Sequence, residues 1–106
     1  MAICCHNEGT LAVHKGCVGP GWGALLDELT AELEARDETY RVAQVKEKFG
    51  WLRIYADGLT SQGYDLIHEY ERRSSEICEE CGEPGTTGPV RPGAYWIRTL
   101  CPEHRT

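Results

Sequence analysis

Cys78-Glu79-Glu80-Cys81-Gly82 is answered, with nineteen residues between Cys81 and Cys101, by Cys101-Pro102-Glu103-His104. Each run places two potential ligands with two residues between them, and the two runs together have the layout of a structural zinc ribbon. A Cys-x-x-Cys-Gly turn brings both sulfurs to one side, and Gly82 suits the position after the second sulfur, where positive φ is needed. Three thiolates (Cys78, Cys81, Cys101) and one imidazole (His104) fill a tetrahedron and leave no position for water, so such a zinc holds structure rather than activating a nucleophile. The alternative for the same residues is free or disulfide-linked cysteines. Pro102 suits a turn and argues against a helix across the second run.

Upstream of Cys78, apolar residues recur at helical spacing in Leu66, Ile67, Tyr70 and Ile77, with Tyr64 alongside. They predict a helix over 62–76, capped by Thr60 or Ser61, that leads directly into the first ligand pair. Before it, Tyr40-Arg41-Val42-Ala43-Gln44-Val45 is β-prone. Trp51-Leu52-Arg53-Ile54-Tyr55-Ala56 alternates, with Leu52, Ile54 and Ala56 on one face and Trp51, Arg53 and Tyr55 on the other. Lys46 to Gly50 joins the two as a hairpin, with Gly50 available for the turn. A first helix runs from Trp22 to Arg36 or Asp37 on the stripe Leu25, Leu26, Leu29, Leu33. Residues 82–93 are too rich in glycine and proline for regular structure and form the mobile tip of the ribbon; residues 94–100 return as a strand. The expectation is an α+β fold, a helix–β-hairpin–helix body (20–77) with a C-terminal zinc ribbon (78–106), preceded by a lead segment (1–19).

At 106 residues the chain offers a limited core, which a metal would reinforce. The formal charge of −6 gives no basic surface overall for a nucleic-acid backbone, although a local basic face is compatible with it. There is no long apolar run or lipidation signal, and residues 1–20 have no secretory pattern; three of the six cysteines fit the zinc site. These features point to a reducing cytoplasm, with three cysteines committed to the zinc site.

Several constellations have two readings. Cys4, Cys5, His6, His14 and Cys17 have ligand chemistry for a second metal site, but their spacing matches no standard one, and buried or free thiols are the plainer reading. Cys5-His6 as nucleophile and base is disfavoured, because sequence neighbours point apart. His68 reads as a surface or packing residue. Lys46, Lys48 and Arg53, interleaved with Phe49, Trp51 and Tyr55, can stack bases and contact phosphates. Trp51, Arg53 and Tyr55 equally have the composition of a protein-binding hot spot.

The run Val45 to Tyr55, Gly21-Trp22 with Leu25-Leu26, Arg73-Ser74 leading into Cys78 to Gly85, and Trp96 with Thr99-Leu100-Cys101 resemble a group of small zinc-ribbon-tailed proteins encoded by tailed bacteriophages and prophages. The likeness covers residues 21–104. Many members carry glycine where this chain has Trp51. The group has no agreed activity, so the resemblance implies a setting, the cytoplasm of a bacterial host, and a kind of role: host takeover or anti-defence by binding a bacterial protein. The expectation is a non-enzymatic zinc protein whose contacts are Trp51, Arg53 and Tyr55 on the hairpin and Arg91 and Arg98 on the ribbon. The alternative is a nucleic-acid-binding zinc-ribbon regulator. A hydrolase or nuclease lacks any credible pair of carboxylates or histidines.

Overall fold

Leu25, Leu26, Leu29 and Leu33 form one buried stripe on the first helix, α1 (Gly23–Ala35), in the computed structural model, which describes residue 11 and residues 16–105. A 3₁₀ turn, Pro20–Trp22, precedes the helix and buries the Trp22 indole. The helix stops because Asp37 takes a left-handed conformation, with φ 56°. The N–H of Glu38 then reaches back to Leu33 O at 3.1 Å and that of Asp37 to Glu34 O at 3.0 Å, the paired bonds that close a Schellman motif.

Two antiparallel strands follow, β1 (Arg41–Lys48) and β2 (Trp51–Asp57). Only Phe49 and Gly50 connect them, both with positive φ (54° and 84°), as a two-residue primed turn requires. The alternation read from the sequence holds on β2: Leu52 and Ile54 are buried, while Trp51, Arg53 and Tyr55 are exposed. On β1 a register shift between Val42 and Gln44 lets both Val42 and Val45 face the core despite their odd spacing. Thr60 caps the second helix, α2 (Ser61–Ser74), its side chain accepting from the Gly63 N–H at 3.2 Å. Helix and strand faces meet in one core that includes Leu11, Trp22, Leu26, Val45, Leu52, Ile67 and Tyr70.

α2 also completes the β2 edge. The Leu52 N–H donates to Ser74 Oγ at 2.9 Å and the Ile54 N–H to Glu71 Oε2 at 2.8 Å. The Tyr64 hydroxyl donates to Ala56 O at 3.2 Å. Side chains one helical turn or two apart thus satisfy backbone groups spaced by two along the strand, and the edge is closed without a third strand.

The C-terminal part departs from expectation in two places. Thr86–Pro89, within the stretch expected to lack regular structure, forms a strand, β3, paired antiparallel with β4 (Ile97–Leu100). Proline is tolerated there because it sits at the end of the strand. Pro102 opens a one-turn helix, α3 (Pro102–Arg105), rather than preventing one; at the first helical position its missing N–H costs nothing. A second small core of Cys78, Leu100 and Cys101, with Val90 against it, lies under this hairpin. The fold is α+β, with two two-stranded antiparallel sheets and three helices among the described residues.

Candidate metal centre

The first ligand pair sits on a turn fixed by the backbone. The Cys78 N–H donates to Glu83 O at 2.7 Å and the Gly82 N–H to Cys78 O at 2.9 Å, and Gly82 adopts φ 84° as its position requires. Cys101 directly follows β4, and its carbonyl accepts from the N–H groups of His104 and Arg105, both at 3.1 Å, so one turn of α3 swings the imidazole back over its sulfur. Cys78, Cys81, Cys101 and His104 converge until their donor atoms all lie within 4.8 Å of one another. Cys81 Sγ is 3.7 Å from Cys101 Sγ, and His104 Nδ1 is 3.6 Å from Cys78 Sγ and 3.2 Å from Cys101 Sγ. Metal–ligand bonds of about 2.0–2.3 Å at tetrahedral angles give edges of roughly 3.3–3.8 Å. The cluster is thus close enough to hold a metal ion.

The donors' electrostatics fit a cation. Burial works to raise the Cys78 thiol, but the N–H groups of Cys101, Cys81 and Glu80 outweigh it and pull it down to about 6. Cys101 is also lowered: burial opposes ionisation, and the His104 N–H and ring overcome it. At Cys81 the Glu83 N–H favours the thiolate, yet desolvation and the sulfurs of Cys101 and Cys78 push it up to about 11. The same two sulfurs raise His104. Three thiolates this close repel one another, and a dication in their midst turns that repulsion into coordination.

A layer of polar contacts ties the cluster to the body. Glu79, inside the first ligand pair, is only 5% exposed. Its carboxylate accepts from the Thr99 N–H at 3.1 Å and from Arg98 Nη2 at 3.2 Å; Arg98 also pairs with Glu80. Burial raises the Glu79 carboxyl against the pull of the Thr99 N–H and the Arg98 charge. The Thr99 hydroxyl donates to Gly50 O at 2.6 Å, joining the ribbon to the turn of the first hairpin. Gly21 N–H donates to Glu79 O at 2.8 Å, and Trp22 Nε1 to Ile77 O at 2.9 Å. A Cβ on Gly21 would lie 2.0 Å from Cys78 O, so only glycine permits this approach. Arg105 grips the second hairpin from the other side, its guanidinium reaching the carbonyls of Thr86, Gly88, Pro89 and Arg98.

The remaining residues singled out in the sequence are not brought to this cluster. Trp51, Arg53 and Tyr55 lie together on the outer face of the first hairpin, and Arg91 is exposed in the loop between β3 and β4. Arg98 has a different place: its side chain is only 17% exposed and is held by Glu79 and Glu80, stacked 4.9 Å from the Trp96 ring. Trp96 and Tyr95 are the exposed aromatic residues of the ribbon. Cys4, Cys5, His6 and His14 lie outside the described residues; Cys17 is disulfide-bonded, and His68 is exposed on α2. Glu79 and its pairing with Arg98, which the sequence had offered as a partner contact, went unread because an acid inside a Cys-x-x-Cys turn looks like a solvated charge; the oppositely charged residue just before Cys101 is the signal that was there. No helix among the described residues is long and apolar enough to cross a membrane.

Comparison with protein-family models, with curated proteins and with solved structures found no match.

Proposed function

We propose that the chain is a non-enzymatic binding protein with a C-terminal zinc ribbon, docking on another macromolecule through the exposed face of its first hairpin. The observation that carries this reading is the Cys78, Cys81, Cys101, His104 quartet, whose four donor atoms lie within 4.8 Å of one another. A sulfur-rich set of three thiolates and one imidazole favours zinc among the common divalent ions. The set is complete at four ligands, which leaves zinc no position for a reacting water and gives it a structural role. The setting implied by the resemblance, a phage-encoded factor acting in a bacterial cytoplasm, belongs to the same proposal.

Elemental mass spectrometry of the purified protein tests it. The expected result is zinc, with Cys81→Ser binding one equivalent less than the parent and losing much of its folded signal by circular dichroism. A Cys81→Ser protein with unchanged zinc content and thermal stability overturns the ribbon.

A further inference from the structure

Between its turn and the Gln44↔Tyr55 pair, the outer face of the β1–β2 hairpin carries no carboxylate. The register sets Lys48 opposite Trp51, Lys46 opposite Arg53 and Gln44 opposite Tyr55. Asp57, opposite Arg41, is the first acid on this face and lies at its far end. The chain is nonetheless acidic, at −6, with exposed carboxylates on the helices at Asp27, Glu28, Glu34, Asp65 and Glu69. Positive charge is therefore gathered on one face of a negative protein.

The arrangement works against stability. Like charges directly opposite on neighbouring strands repel, and Lys46 faces Arg53 across the ladder. Among the described residues neither Lys46 nor Lys48 forms an ion pair. The acid nearest Arg53 is Glu71, 4.0 Å from its Nε, and that carboxylate also accepts from the Ile54 N–H. The lysines lie instead over aromatic rings, Lys46 Nζ 5.6 Å from the Tyr55 centroid and Lys48 Nζ 6.0 Å from that of Phe49. Phe49 is 70% exposed and sits at φ 54°, a conformation that is costly for a bulky side chain. The exposed ring has no place in the core that would account for this cost.

Cations alternating with exposed rings suit a partner with regularly spaced negative charges and flat apolar groups between them. That is an unpaired nucleic-acid strand: phosphates meet the cations and bases stack on the rings. A duplex hides its base faces and offers only the phosphates. We infer that the outer hairpin face, through Lys46, Lys48, Phe49, Trp51, Arg53 and Tyr55, binds single-stranded nucleic acid. The inference rests on the proposed role as a binding protein and names its partner; zinc lies outside this face and holds the ribbon against the hairpin turn.

The test is fluorescence anisotropy with the full chain and a labelled 12-nucleotide strand, as DNA and as RNA, alongside the matching duplex. Three phosphate contacts predict a log–log salt slope of about −2, so affinity falls about 20-fold from 50 to 200 mM salt. Trp51→Ala weakens binding about 5- to 100-fold. Lys46→Glu weakens binding and flattens the slope, yet raises the melting temperature by relieving the repulsion with Arg53, a pairing of effects that a purely structural lysine does not produce. Zinc content is measured on every variant. A zinc-loaded, folded protein that binds neither strand, or binds duplex equally well, overturns this inference and leaves the ribbon standing. So does a salt-insensitive protein partner that is lost with Trp51→Ala. Loss of zinc from the parent protein counts against the proposed ribbon instead.

Discussion

Phe49 and Gly50 share the turn of the first hairpin, but only one of them suits it. Gly50 takes φ 84° freely, and its buried position leaves no room for a side chain: a Cβ would come within 3.1 Å of the Arg98 backbone and the Thr87 methyl. Phe49 takes φ 54° with its ring in solvent, where asparagine or glycine is the favoured residue. Phe49→Asn is therefore expected to stabilise the protein by about 1 kcal/mol, raising the melting temperature by about 4–8 °C in calorimetry. An unchanged or lowered melting temperature would show that the ring earns its place through contacts in the native state. The sequence made the hairpin legible through Gly50 and the alternation after it. It did not reveal the strain at Phe49, because the lysines beside the turn extend β1 by pairing with Arg53 and Trp51 and so shorten the connection to two residues.

At the scale of elements, the packing of α2 on β2 depends on polar side chains that hydrophobic periodicity passes over. Ser74 is fully buried, accepts from the Leu52 N–H and donates to Glu71 O. Ser74→Ala leaves that N–H buried without an acceptor, at a cost of about 1–3 kcal/mol. Thermal unfolding checks this, and a loss below about 0.5 kcal/mol, the range of neutral surface changes, would mean that another acceptor takes over. Leu66, Ile67 and Tyr70 announced the helix through their spacing, whereas Ser74 and Glu71 resembled ordinary surface residues. Thr86–Pro89 was illegible for a related reason. Its residues are mostly exposed and carry no alternating pattern, and what makes them a strand is the ladder to Ile97–Leu100 together with Arg105 on their carbonyls. The cysteine and histidine quartet was legible throughout because metal geometry constrains local spacing, which a sequence displays directly.

Across the whole molecule, the Cys/His cluster and the first helix share one joint. The strap from Gly19 to Trp22 leans on the backbone of Cys78, Glu79 and Gly82, and Thr99 bonds the hairpin turn. Removal of metal by a chelator should thus raise amide exchange at residues 19–22 together with 78–104, while the middle of the β1–β2 ladder keeps its protection. Unchanged exchange at residues 19–22 would sink this coupling. Acid should act in the same direction as the chelator. Protons compete with the metal for the thiolates and the imidazole, so affinity falls as pH falls, and Cys78, ordinarily near 9 and held at about 6, is the thiol that resists longest. The joint also imposes an order in time. Trp22 bonds a carbonyl 55 positions later, and Cys78 meets His104 26 positions later, so a chain made from its N-terminus can seat α1 in the body's core before the Cys/His quartet is complete. A metal could be captured only once Cys101 and His104 have emerged, and a ribosome stalled before Cys101 would display a body with its core packed but its strap from Gly19 to Trp22 leaning on a turn that no second ligand pair holds.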